Sequence, residues 1–269
     1  MLNNNLDVNS LEEINKNPVR ITLNGKRHYT TPLSSGPAPS VTTIISETAS
    51  EQNKKKLEMW SKNNPGVKEK AAERGTAIHY GMEQYLKGDR EPEIKDEYGN
   101  FWSGLPKILD QFTEVLWAES PVLDKFKFTV GSDDIARVWG SDDQGRAWAG
   151  APDIIAVVNN KLTLADLKTS VKPYSRRWPK DYEKGTQEWR NLLGGYMKFK
   201  KTCKQLAAYD IAIEQTLGLK VQQAAILVST PERTQIFKIS RGFLNSLRQD
   251  WYKIVEEYYK QIEECYSES

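Results

Sequence analysis

Apolar and polar positions change period four times along the chain from Ser40 onward. From Ser40 the segments SVTTIISET, LEMWSKNN and VKEKAAERGTAIHYGMEQYLKG carry apolar residues at helical spacing, and Gly88 is placed to end the third. A further helix is expected from Pro106 to Trp117. The pattern then turns to alternation and β-branched runs, in FKFTV, IARVWG and AWAGAPDIIAVV, separated by Gly131-Ser132-Asp133-Asp134 and by Ser141 to Gly145, both rich in turn formers. KLTLADL follows the Asn159-Asn160 turn and is expected to pair with the strand before it. Helical spacing returns from Lys201 to Leu217, QAAILVST and TQIFKIS read as strands, and Gly242 to Cys265 forms an amphipathic helix. Residues 1–39 are rich in Asn, Ser, Pro and Gly, with one alternating stretch from Val19 to Tyr29 that predicts a hairpin at Asn24-Gly25; they read as a peripheral arm.

This order predicts an α/β fold with a central mixed β-sheet flanked by helices, in one domain spanning 40–269. Within it, 40–118 is the N-terminal helical region, and 119–269 supplies the sheet core and C-terminal helix.

Composition narrows the class. With 38% hydrophobic and 28% charged residues in 269, the chain can bury a sizeable core and is not of disordered composition. Two cysteines, Cys203 and Cys265, cannot make a four-cysteine zinc site, a four-cysteine iron–sulfur cluster or a disulfide scaffold. No apolar run is long enough to span a bilayer, and the first residues have no secretory pattern, so a cytoplasmic location is expected.

The formal charge of +2 conceals a strong local asymmetry. Between Leu167 and Lys204 stand eleven Lys/Arg and three Asp/Glu, interleaved with Tyr174, Trp178, Tyr182, Trp189, Tyr196 and Phe199. Cations with stackable rings suit single-stranded nucleic acid, because phosphates meet the charge and unpaired bases stack on the rings. A solvated loop with its aromatics in the core would have the same composition. Lys172, Tyr174, Arg176, Arg177, Trp178 and Lys180, with Arg74 from the helical region, are the candidate strand contacts.

Two carboxylates interrupt apolar strands: Asp153 in GAPDIIAVV and Asp166 in LTLADLKTS. Desolvating them is costly unless they are paired, hydrogen-bonded or bound to a cation, and oxygen-rich sites suit Mg²⁺ or Mn²⁺. Asp166 and Lys168 are two apart and share a strand face, so an ammonium stands beside the acid. A structural salt bridge would use the same triplet. His79 is a possible ligand or a core histidine, and Glu119 at the entry to the first strand could reach the same place. Gln205 and Tyr209 lie at i and i+4 on one helix face.

Taken together, GTAIHYGMEQYL, Glu119, AGAPDIIA, LADLKTS and QLAAYDIAI, in the order His, Glu, Asp, D-x-K, Q-x-x-x-Y, resemble the RecB-like branch of the PD-(D/E)XK nuclease superfamily. With PSVTTIISET ahead of them, they look most like the mitochondrial genome maintenance exonuclease group and its bacteriophage relatives. The resemblance implies a restriction-endonuclease-like core and a monomeric Mg²⁺- or Mn²⁺-dependent DNA exonuclease acting on single strands or flaps. It further implies His79, Asp153, Asp166 and the Leu167 backbone carbonyl as metal ligands, with Glu119 assisting. Lys168 would activate the attacking water, and Gln205 with Tyr209 would support the lysine and the DNA backbone. An endonuclease of the same fold, or a single-strand-binding module without catalysis, are the alternatives. Four-cysteine iron–sulfur relatives are set apart by the two cysteines.

Overall fold

The computed structural model describes residues 19–31, 36–121 and 137–267. The FKFTV segment and the turn at 131–134 lie outside the described residues. Strands β1 (Arg20–Leu23) and β2 (Lys26–Tyr29) form an antiparallel hairpin, with β3 (Ala38–Pro39) on its edge. Asn24 and Gly25 both have positive φ, 50° and 73°, as a two-residue hairpin turn requires. Helices α1 (Val41–Glu47), α2 (Glu51–Asn63) and α3 (Val67–Leu86) follow. Ser40 caps α1 by accepting from the Thr43 N–H, and Gly88 follows the end of α3 with φ of 113°.

The helix expected over Pro106 to Trp117 is replaced by one short helix and a strand. After α4 (Gly99–Trp102) and α5 (Pro106–Leu109) the chain enters strand β4 (Thr113–Ala118). TEVLWA starts exposed and ends buried: Val115 packs on one layer, and Leu116 and Trp117 both pack on the other, because the strand is irregular between Thr113 and Trp117. A bulge between Thr113 and Trp117 breaks the register, with Glu114 at φ 44°.

The central sheet runs β11 (Thr234–Ser240), β10 (Gln223–Ser229), β9 (Lys161–Thr169), β8 (Ile154–Val158), β4 and β5 (Ser120–Pro121). β9 and β10 are parallel and every other neighbouring pair is antiparallel. The fold is therefore mixed α/β, with a central mixed sheet flanked by helices. The parallel pair needs a crossover, supplied by α6 (Gln187–Leu217). That helix starts well before the expected Lys201: Thr186 caps it, and Leu193, Tyr196, Phe199, Cys203 and Leu206 continue one helical stripe. α7 (Arg241–Ser267) closes the described chain. Asn159 and Asn160, at φ 51° and 58°, turn β8 into β9 as the pattern predicts.

Strand alternation divides the core between two layers. Ile155, Leu164 and Ile226 face α1, α6 and α7, whereas Ile154, Ala156, Ala165, Leu167 and Leu227 face α3 to α5. Covering both faces explains why IIAVV is uniformly apolar. A separate pair, β6 (Val138–Ser141) and β7 (Ala147–Gly150), is held to the end of α6 by Thr216 Oγ1, which accepts from the Trp139 N–H at 3.0 Å and donates to its carbonyl at 2.6 Å. The hairpin set apart by sequence as an arm docks on this pair, with Tyr29, Trp139 and Ala149 in one buried cluster. No helix among the described residues is long and apolar enough to cross a membrane.

Candidate active site

The site forms where β8 begins and β9 ends, between the two helical layers. Asp153 stands at the entry to β8 and is 7% exposed; Asp166, in the middle of β9, is fully buried. Alternation points Asp166 and Lys168 toward α6, while Leu167 turns its side chain into the α3 layer. The Asp153 Oδ2 atom accepts from the Leu167 N–H at 2.7 Å, which fixes one acid to the strand carrying the other.

His79 enters from α3, one residue beyond the buried Ile78. Its Nδ1 lies 2.6 Å from Glu119 Oε1, and its Nε2 lies 3.1 Å from the Leu167 carbonyl oxygen. Glu119 takes a left-handed backbone conformation, φ 55°, and donates its own N–H to the Asp153 carbonyl at 2.8 Å. A glutamate rarely adopts that conformation, at a cost of about 1 kcal/mol, and here it turns the carboxylate toward His79. Donor atoms of His79, Glu119 and Asp153 all lie within 4.8 Å of one another. Glu119, an auxiliary residue on the sequence reading, thus belongs to the tightest group of donors, and Asp166 stands behind it.

The electrostatics of the pocket are set by burial against opposed charges. Burial disfavours the imidazolium of His79, but the Asp153 carboxylate and the bond to Glu119 outweigh it and lift the ring to about 9. Burial raises Asp166 above the usual carboxylate range despite the neighbouring ammonium. Lys168 is pushed upward, since Asp166 and Asp153 overcome its own burial, so it is an ammonium at neutral pH. Its Nζ lies 2.5 Å from Asp166 Oδ2, while the buried Oδ1 has no hydrogen-bond partner.

That orphaned oxygen is the test of fit for a cation. An unsatisfied buried acceptor costs about 1–3 kcal/mol or more when charged, and a divalent ion among these oxygens would relieve it. Carboxylate oxygens, one imidazole and the Leu167 carbonyl form a donor set that fits Mg²⁺ or Mn²⁺.

On the α6 side, Gln205 Nε2 donates to the Tyr209 hydroxyl at 3.1 Å. Burial drives the phenol upward, so it keeps its proton. Tyr209 comes this close because residue 150 is glycine: a Cβ there would stand 2.6 Å from the ring. A cavity of about 230 Å³ opens over the site, lined by His79, Glu119, Asp153, Gln205, Tyr209 and the β1–β2 hairpin.

The proposed strand contacts divide. Tyr174 is buried beneath Lys198, 5.9 Å from ammonium to ring, and cannot stack a base. Arg176 donates to the Lys238 carbonyl at 2.5 Å and covers Phe199 and Phe237, a structural attachment between loop and core. Trp178 remains 51% exposed, braced edge-on by Tyr196, and Arg177 and Lys180 are exposed beside it. Arg74 lies over Phe101 with its Nε buried and without a partner.

Lys198 and Lys201 are absent from the sequence-predicted set. Both ammoniums are pushed below the ordinary lysine value, Lys198 by its surroundings and by Arg74 and Lys172, Lys201 by its surroundings and by Lys168. No carboxylate lies within ion-pair distance of Arg74, Lys172, Lys198 or Lys201 among the described residues. Helical spacing from Lys198 to Lys201 to Gln205 is the signal that could have found them, had α6 been started at Gln187.

No family model and no curated protein sequence matches the chain. Among solved structures it is similar to the crystal structure of SSO0001, at 16% identity and a TM-score of 0.35, over 82% of this chain and 78% of that one.

Proposed function

We propose that this chain is a divalent-metal-dependent DNA nuclease built on a restriction-endonuclease-like core, acting as an exonuclease on single-stranded DNA or single-stranded flaps. The observation that carries the reading is the juxtaposition of Asp153, Asp166 with its unpartnered buried oxygen, His79 and the Leu167 carbonyl beside the ammonium of Lys168. The β8–β9 hairpin followed by a parallel β10, with α3 and α6 on opposite faces, supports the fold assignment.

Asp153, Asp166, His79, Glu119 and the Leu167 carbonyl would hold the cation. When bound, it supplies Lewis-acid polarisation of the scissile phosphate and a lowered pKa for the attacking water. Because Lys168 is held charged, its contribution is electrostatic: it orients the nucleophile and stabilises the extra negative charge on phosphorus in the transition state. Tyr209, protonated and steadied by Gln205, can donate to a phosphate oxygen. Arg74, Lys172, Lys198 and Lys201 supply unpaired cations along the strand path, with Trp178 as an exposed stacking surface.

The test is cleavage of end-labelled single-stranded, duplex and flap DNA, and of a closed single-stranded circle, in Mg²⁺ or Mn²⁺. Asp166→Asn and Lys168→Ala are expected to lose on the order of 10²-fold or more in rate while keeping the fold. Wild-type rates in either variant would refute the assigned chemistry. Cutting of the circle would replace the exonuclease by an endonuclease, and metal-independent binding without cleavage would replace both by a binding module.

A further inference from the structure

The β1–β2 hairpin was set apart by sequence, yet it forms a wall of the active-site cavity. Its register places Arg20 opposite Tyr29 and Arg27 opposite Thr22. Strand alternation therefore puts Arg20, Arg27 and Tyr29 on one face, and all three line the 230 Å³ cavity with His79, Glu119 and Asp153. The hairpin is anchored there. Ser40 donates its N–H to the Arg27 carbonyl at 3.0 Å, Thr43 Oγ1 donates to the same oxygen at 2.9 Å, and Arg137 lies 5.0 Å from the centre of the Tyr29 ring.

The charges on this hairpin are sorted by face. Lys26, pointing the other way, is neutralised by Glu47 at 2.7 Å. Arg20 and Arg27 have no carboxylate within ion-pair distance among the described residues. The carboxylates that share their cavity are already engaged, Glu119 by His79 and Asp153 by the Leu167 N–H. Two unneutralised guanidiniums, each able to grip oxygens with a planar fork, thus face a small polar cavity beside the acid cluster, on a different wall from the lysines of α6. The cavity is several times the roughly 30 Å³ of one water and smaller than the roughly 300 Å³ at which drug-sized pockets begin.

We propose that Arg20 and Arg27 form a phosphate subsite in this cavity, holding a phosphate of the substrate strand next to the one that is cut. The identity of the ligand rests on the nuclease reading; the anion chemistry does not. Two sources of phosphate are compatible with it, a terminal phosphomonoester or a neighbouring phosphodiester.

Binding in EDTA separates the sources and removes cleavage from the readout. Three fluorescent strands of one sequence serve as probes: linear with a 5′-phosphate, linear with a 5′-hydroxyl, and a closed circle. Relative to wild type, Arg20→Gln/Arg27→Gln is expected to weaken binding on the order of tenfold, and Lys26→Gln by less than about twofold. Loss confined to the 5′-phosphorylated strand assigns the terminal group, and equal loss over all three assigns an internal phosphodiester. Arg20→Lys/Arg27→Lys, which keeps the charge, should recover part of the affinity, and circular dichroism of each variant reports the fold. Wild-type binding of all three probes by the Gln double variant, or an equal loss in Lys26→Gln, would overturn the subsite. A wild-type protein that binds but cleaves nothing in Mn²⁺ would sink the nuclease reading and leave the subsite standing. Normal cleavage with unchanged binding in the Gln double variant would do the reverse.

Discussion

His79 is held between two acids and a carbonyl oxygen, and its protonation couples the site to stability. Because its folded value is about 9 against 6.5 for a free imidazole, the folded chain binds this proton more tightly than the unfolded chain. The resulting stability is fully present below about pH 6.5 and is lost as pH rises through about 9. In EDTA, the thermal midpoint of the wild type should therefore fall across that window, and that of His79→Gln should fall less. A histidine that ligates a metal must be deprotonated, so stabilisation by added Mn²⁺ is expected to grow over the same window. A wild-type midpoint that is flat in EDTA would contradict this pairing. The residues of the site were legible one by one, since a carboxylate inside an apolar strand is conspicuous. Their ranking was not: the backbone turn at Glu119 that aims it at His79 leaves no mark in the sequence.

At the scale of elements, α6 carries two functions on one helix. Its inner stripe fills the core, its edge presents Gln205 and Tyr209, and Lys198 and Lys201, near its middle, stand two turns and one turn before Gln205. The helix is locked to α7 and the sheet by Asp210, 1% exposed, which accepts from Arg241 Nη1 and Nη2 at 2.8 and 2.7 Å, while Arg241 Nη1 also donates to the Val221 carbonyl. Arg241→Met would leave a buried carboxylate with only Arg248, 3.5 Å away. We expect a loss of about 3 kcal/mol in urea unfolding, the usual result of removing one partner from a buried pair. A change under about 1 kcal/mol would show that the pair is dispensable. The loop from Ser170 to Thr186 crosses α6 at Gly195, where a Cβ would meet the Pro173 carbonyl at 2.7 Å. Glycine spacing does not encode that crossing, which depends on where the loop returns across the helix.

For the whole molecule, the near-neutral total of +2 conceals a basic stretch from Leu167 to Lys204 and an acidic C-terminal end. Residues 256–269 hold five Glu and one Lys, and four of these Glu lie toward the end of α7. Binding of single strands should weaken steeply with salt, by ~0.7 log units in affinity per log unit of salt for each phosphate neutralised. Lys172→Gln/Lys198→Gln is expected to flatten that slope and to spare the fold; an unchanged slope would remove these two lysines from the strand path. The sequence by itself determined the strands of the β1–β2 hairpin and β6 to β11, because alternation and β-branching are local, the two Asn-Asn and Asn-Gly turns, because positive φ is a property of single residues, and the acids and lysine of β8 and β9. Only the tertiary structure decided that TEVLWA is a strand, since it is its antiparallel pairing with β8, a segment about forty residues on, that fixes its backbone. It also decided which cations share the site, because Arg20 and Arg27 line one cavity with His79, which lies more than fifty residues on in the sequence, and no periodicity encodes what a strand face meets across space.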